Sequence, residues 1–139
     1  MRIEPYLFFD GRCEEAMEFY RGALGAEVTF MMRYKENPEP APPGMLPPDY
    51  GNKIMYANLH IGDTHVMVAD GIYESHGFEG FSLSLTASDE KQARMLFAAL
   101  SDGGKVEVPL AKTFFSPCFG MVTDRFGVGW MVIVEAKQP

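Results

Sequence analysis

The feature that most constrains this chain is that it closes twice in the same way. Tyr56 to Asp70, YANLHIGDTHVMVAD, runs a strand into a Gly62-Asp63 turn and out along a second apolar strand. Phe119 to Val134, FGMVTDRFGVGWMVIV, repeats the plan around Arg125-Phe126-Gly127. Gly127 suits a positive φ, and Asp124, three residues earlier, can bond the turn's backbone. Val128 to Val134 is dense in β-branched and aromatic residues, as a buried strand should be. A helical pattern stands ahead of each hairpin. Ala16, Phe19, Tyr20, Ala23 and Leu24 fall at i, i+3, i+4, i+7 and i+8, and Ala93, Leu96, Phe97 and Leu100 at i, i+3, i+4 and i+7. Ala16 answers to Ala93, Phe19-Tyr20 to Leu96-Phe97 and Phe8 to Leu85, each 77 residues apart.

The elements between these anchors complete the pattern. Ile3 to Phe9 reads as a strand with Pro5 near its start, where a missing N–H is tolerated. Gly25 stops the first helix, whose first turn carries Glu14 and Glu15 to suit its dipole. Glu27 to Tyr34 and Ile54 to Ile61 are strands, and Thr64 to Asp70 closes the first hairpin. Phe81 to Ala87 alternates Phe81, Leu83 and Leu85 with Ser82, Ser84 and Thr86. Ser88 can cap the second helix, Gly103-Gly104 stops it, and Lys105 to Leu110 is a strand. Each copy therefore reads βαβββ. The expected fold is α+β: one domain over 1–139, made of units 1–72 and 78–136 whose curved mixed β-sheets close around a cavity. Only the first copy carries a proline-rich excursion, 35–51, expected as a lid or dimer contact.

Composition narrows the partners. A net charge of −7 with no basic cluster argues against nucleic acid or an anionic membrane surface. No stretch approaches the roughly 20 apolar residues of a membrane span. The N-terminus carries a glutamate and a proline and too short an apolar run for a signal peptide. Cys13 and Cys118 stand outside any CxxC pair, so they are expected as free thiols and the chain as cytoplasmic.

A paired βαβββ unit resembles the vicinal oxygen chelate superfamily, which includes glyoxalase I, extradiol dioxygenases and bleomycin-resistance proteins. PYLFFDGRCEEAMEFYRGALGAEV, ANLHIGDTHVMVAD, GFSLSLTA and FGMVTDRFGVGWMV resemble its PhnB-like branch, which often carries the label 3-demethylubiquinone methyltransferase. The resemblance covers nearly the whole chain. It implies a homodimer, and for the superfamily's chemistry a divalent metal held by His or Glu on the first and closing strands of each unit. Carried across, those positions fall at Pro5 (or Tyr6), Val66 or Met67, Ser82 (or Phe81), and Met131. None offers the imidazole or carboxylate that such an ion requires.

The candidate cavity-lining residues are Asn58, His60, Met67, Ser82, Ser84 and Met131. Asn58 and His60 share one face of a strand, with Asp70 at the end of its neighbour. Ser82, Ser84 and Thr86 form a polar row that either faces solvent or orients a small polar ligand. Met67 and Met131 would make an adaptable apolar floor. Of the remaining histidines, His65 is at the hairpin and His76 in the 71–80 linker. Cys13, near a helix N-terminus, has a better case for a stabilised thiolate than Cys118, although small buried cysteines at such places are commoner than reactive ones. There is no GxGxxG turn and no GxSxG elbow. No acid, base and nucleophile converge, so no catalytic residue, metal ligand or cofactor is assigned. The leading expectation is a metal-free protein binding a small, partly apolar molecule. The alternatives are a metal-dependent glyoxalase- or dioxygenase-type enzyme with a site rebuilt around His60, and a structural dimer with a filled cavity.

Overall fold

A computed structural model describes residues 1–39, 42, 44–72 and 77–136. The chain divides into two compact units, Met1–Ser75 and His76–Pro139. The first runs β1 (Tyr6–Phe8), α1 (Cys13–Leu24), β2 (Glu27–Arg33), β3 (Ile54–Ile61) and β4 (Thr64–Ala69). The second runs β5 (Leu83–Ala87), α2 (Glu90–Ser101), β6 (Lys105–Ala111), β7 (Cys118–Thr123) and β8 (Gly129–Val134). Each unit is the expected βαβββ.

The sheets have the same topology. Their strand orders are β1-β4-β3-β2 and β5-β8-β7-β6, with β1–β4 and β5–β8 parallel and the other pairs antiparallel. The helix supplies the crossover and covers one sheet face. In the first unit Cys13, Ala16, Met17 and Tyr20 pack with Leu7, Ala57, Leu59 and Val68, all buried. In the second, Ala93, Phe97 and Leu100 pack with Val122, Trp130, Val132 and Val134.

Each unit is closed by one buried aspartate. Asp70 follows β4, and its Oδ1 accepts the backbone N–H of Gly11 at 2.7 Å and of Cys13 at 2.9 Å. Its Oδ2 accepts from Ile54 N at 3.0 Å, so one carboxylate ties the β1–α1 turn to β3. Asp124 follows β7; its Oδ1 accepts from Phe126 and Val128 N, and its Oδ2 from Trp130 Nε1 at 2.9 Å. The turn has Gly127 at φ +90, as its sequence anticipates.

Several expectations shift by a residue or more. β1 begins at Tyr6: Pro5 has no N–H for the ladder, although its carbonyl accepts from Met67 N. The cap of α2 is Asp89, whose carboxylate accepts from Gln92 N, while Ser88 donates its own N–H to Gln92 Oε1. The charged oxygen suits the helix dipole better than a hydroxyl. The buried stripe of α1 includes Cys13 and Met17, while Phe19 is only half-buried. Phe8 is not the counterpart of Leu85: Leu7 pairs with Val68 under the helix, as Leu85 pairs with Val132. Phe8 points to the opposite face. The ends of the 35–51 excursion are pinned, with Tyr34 Oη donating to the Asp70 carbonyl at 2.5 Å and Tyr50 Oη to that of Gly71 at 2.7 Å. Burial, then the Asp70 charge, push the Tyr50 phenol up to about 12. It therefore stays a donor.

Candidate functional site

Strand alternation sends every second residue of β1, β3 and β4 away from α1. On that side the register aligns Phe30, Asn58, Met67 and Tyr6 in one row across four strands. The next row holds Met32, Tyr56 and, at the far edge, Phe8 opposite Ala69. The rings touch in sequence: Tyr6 stacks on Phe8 at 4.7 Å, Tyr6 meets Tyr56 at 6.2 Å, and Tyr56 meets Phe30 at 5.8 Å. Yet Tyr6, Phe8 and Phe30 remain 39%, 46% and 47% exposed. The aromatic wall is thus assembled ring to ring and left half-open to solvent. Burial pushes the Tyr6 phenol up, and the nearby Tyr56 adds to this, so it stays protonated at neutral pH.

Polar groups lie among these rings. Asn58 stands between Phe30 and Met67, and His60 faces His65 across the hairpin. Asn58 Oδ1 and His65 Nδ1 are buried without a hydrogen-bond partner among the described residues. Each such group costs about 1–3 kcal/mol.

The second unit presents a different face. Ser84, Met131, Met121 and Val108 form one row, and Thr86, Ile133 and Phe119 the next. Ser84 and Thr86 are exposed at the sheet's edge, beside half-buried methionine and isoleucine. This face is apolar, with Phe119 its aromatic member in these rows, and has a hydroxyl margin.

Of the six residues expected to line a site, Asn58 and Met67 are direct partners, with His60 farther along the same face of β3. Ser84 and Met131 are direct partners in the second unit. Ser82 precedes β5 and is not part of that row. His76 lies outside the described residues. The aromatic wall was missed because its members come from three strands; only the alternation on β3, with Tyr56 and Asn58 on one side, signalled it.

Of the positions that the resemblance carries across, Tyr6 and Met67 are direct partners, whereas Ser82 precedes β5 and the partner of Met131 is Ser84. Val66 instead faces the helix. A phenol, a hydroxyl and two thioethers do not fit a hard or borderline divalent ion. Among the described residues, no three His, Cys, Asp or Glu side chains gather as a metal cluster. Asp70 is buried and engaged with three backbone donors. The thiolate case for Cys13 fails: burial, then the Asp70 charge, push its thiol well above the ordinary value, overriding the helix terminus. Cys118 is also buried.

Comparison with known proteins gives one consistent answer. Residues 1–133 match the model of a family described as 3-demethylubiquinone-9 3-methyltransferase. The Escherichia coli (strain K12) protein YjdN is 35% identical, with 100% of this chain and 99% of that protein covered. Protein PA1353 of Pseudomonas aeruginosa superposes with a TM-score of 0.86 at 41% identity, covering 99% of both chains. A Bacillus cereus PhnB protein, titled a putative 3-demethylubiquinone-9 3-methyltransferase, gives 0.79 at 26% identity, over 96% of this chain and 99% of that one. A glyoxalase-related enzyme from Fulvimarina pelagi, 14% identical over 97% of this chain and 88% of that one, shares the fold with a TM-score of 0.64. No helix among the described residues is long and apolar enough to cross a membrane.

Proposed function

The chain belongs to the 3-demethylubiquinone-9 3-methyltransferase family, and we propose that it binds a small, partly apolar molecule against the exposed faces of its sheets. One observation carries this reading: the wall of Tyr6, Phe8, Tyr56 and Phe30, packed ring to ring yet half-open to solvent around Met67 and Asn58. Met67 and Met131 add adaptable apolar surface, and Ser84 and Thr86 add hydroxyls. The protein works without the superfamily's metal, as a cytoplasmic homodimer in which the 35–51 excursion is a lid or dimer contact. Two free buried thiols are consistent with a reducing compartment.

Methyl transfer, which the family's description prints, finds little support in this chain. A nucleotide-type methyl donor would need free backbone amides at a strand-to-helix turn. In the first unit the amides of Gly11 and Cys13 are held by Asp70, and in the second Asp89 caps α2.

The test is a thermal-shift screen of small aromatic and aliphatic molecules on the full chain in chelator, with native mass recorded in parallel. A ligand that binds only the folded state raises Tm in proportion to its occupancy. The expected result is stabilisation by aromatic molecules, weakened at least tenfold in Phe30→Ala and Tyr6→Ala, and a dimeric mass. No stabilising molecule, or hits indifferent to both substitutions, would refute the reading.

A further inference from the structure

The open face of the first sheet carries a charge pattern that narrows what it binds. Strands β1 to β4 hold one arginine, Arg33, and no lysine. The Arg33 guanidinium is already engaged, donating to Glu14 Oε2 of α1 and to the Asn52 carbonyl, each at 2.6 Å. Just outside the strands, Arg2 pairs with Glu4 at 2.9 Å and Lys53 donates to the Gly11 carbonyl at 2.8 Å. No strand of this sheet therefore offers a free guanidinium or ammonium to an anion.

Glu27, at the start of β2, is the opposite case. Its neighbour Val28 pairs with Leu59 on the helix side, so Glu27, opposite His60, belongs to the open face. It is exposed and forms no ion pair among the described residues. Along β3 the face runs from Tyr56 through Asn58, level with Phe30, to His60, level with Glu27. Same-face residues on a strand are about 7 Å apart, so the carboxylate stands one row beyond the rings. Ring faces are negative and attract cations. The Asn58 amide oxygen, buried without a partner among the described residues, adds a partial negative charge to the same row. The net charge of −7 draws cations at longer range.

We propose that the molecule held on the aromatic wall is an organic monocation of the arylalkylamine class. Its ring packs on Phe30, Tyr56 and Tyr6, and its ammonium, one row farther along, meets the Glu27 carboxylate. A two-carbon linker followed by a hydrogen bond of about 2.8 Å spans the distance between the rows. This inference rests on the wall being a small-molecule site, and it adds the ligand's charge and the position of its amine. Aromatic carboxylates are selected against, because Glu27 repels them and no cation on the strands offsets it.

The test is calorimetric titration of the full chain at pH 8 and low salt with three probes of nearly the same size: phenethylamine, phenethyl alcohol and phenylacetate. Phenethylamine binds about fivefold more tightly than the alcohol, the sum of an exposed charge pair and a cation–π contact, and phenylacetate binds most weakly. Glu27→Gln removes the amine's advantage and leaves alcohol binding unchanged. Glu107→Gln in the second unit, the same change in net charge, leaves the advantage intact. Both glutamates are exposed, so neither substitution disturbs a core. Phe30→Ala weakens amine and alcohol alike. An alcohol that binds as tightly as the amine, tighter binding of phenylacetate, or an amine advantage that survives Glu27→Gln overturns the inference while leaving the wall as a site for other molecules. Failure of all three probes to bind also overturns it, and the screen of uncharged molecules then decides separately whether the wall is a site at all.

Discussion

Replacing Asp70 tests how the first unit is held together. Its carboxylate is 1% exposed and accepts three backbone N–H groups: Gly11 at 2.7 Å, Cys13 at 2.9 Å and Ile54 at 3.0 Å. Asp70→Ala removes the side chain that receives them and leaves buried donors in a turn, a helix start and a strand. At about 1–3 kcal/mol per stranded donor, softened by water entering the space, the loss is about 4 kcal/mol. Asp70→Asn keeps one oxygen. Placed where Oδ1 stands, it still serves Gly11 and Cys13, while the amide nitrogen confronts the Ile54 N–H, for a loss of about 2 kcal/mol. A domain stable by roughly 5–15 kcal/mol remains folded in both variants at low temperature. Urea unfolding followed by circular dichroism gives the values at constant m. Hydrogen exchange at Gly11 and Cys13 should accelerate in the alanine variant but little in the asparagine one. A loss below about 1 kcal/mol for Asp70→Ala, or equal losses for both, would refute the reasoning.

Asp124→Asn should behave as the parallel case in the second unit, losing about 1–3 kcal/mol and changing Trp130 fluorescence, because Oδ2 receives the indole N–H. Unchanged emission and stability would remove Asp124 from that role. Gly104→Ala should destabilise by at least about 2 kcal/mol, since a Cβ there would meet the Thr123 carbonyl oxygen at 2.3 Å; differential scanning calorimetry reads it. The Cys13 thiol is raised above its ordinary value of 9.0, so the folded state holds a proton that the unfolded state releases first. Stability from this group is therefore full below pH 9 and declines above it, by about 1.4 kcal/mol per pH unit. Cys13→Ala should flatten that alkaline slope in urea midpoints measured from pH 8 to 11; an unchanged slope would discount the thiol.

Local patterns in the sequence carried far into the fold. Both helices, both closing hairpins and the Asp124 turn follow from period, turn chemistry and β-branched density. The details that slipped are those decided across strands. The mismatch of Phe8 with Leu85 arose because spacing alone does not set which face a short strand presents; the parallel pairing of Leu7 with Val68 does. Asp89 displaced Ser88 as a cap because both are good caps in adjacent positions and only geometry separates them. The site was legible in parts. Asn58 and His60 were placed on one face of a strand by alternation, and only the register made Met67 the partner of Asn58. Phe30 could not be anticipated, since a bulge between Val28 and Phe30 sets its alignment with Asn58. Nor was Asp70 legible as a buried acceptor, because its three donors come from distant stretches of chain.

The central claim is that the uncovered aromatic face holds a small apolar molecule without a metal. The most direct measurement is a backbone and side-chain NMR titration of the full chain, in chelator, with the most stabilising molecule from the screen. The account predicts saturable shifts confined to Tyr6, Phe8, Phe30, Tyr56, Asn58 and Met67 and their strand neighbours. Shifts centred away from that face, or binding that appears only when a divalent ion is restored, would contradict it.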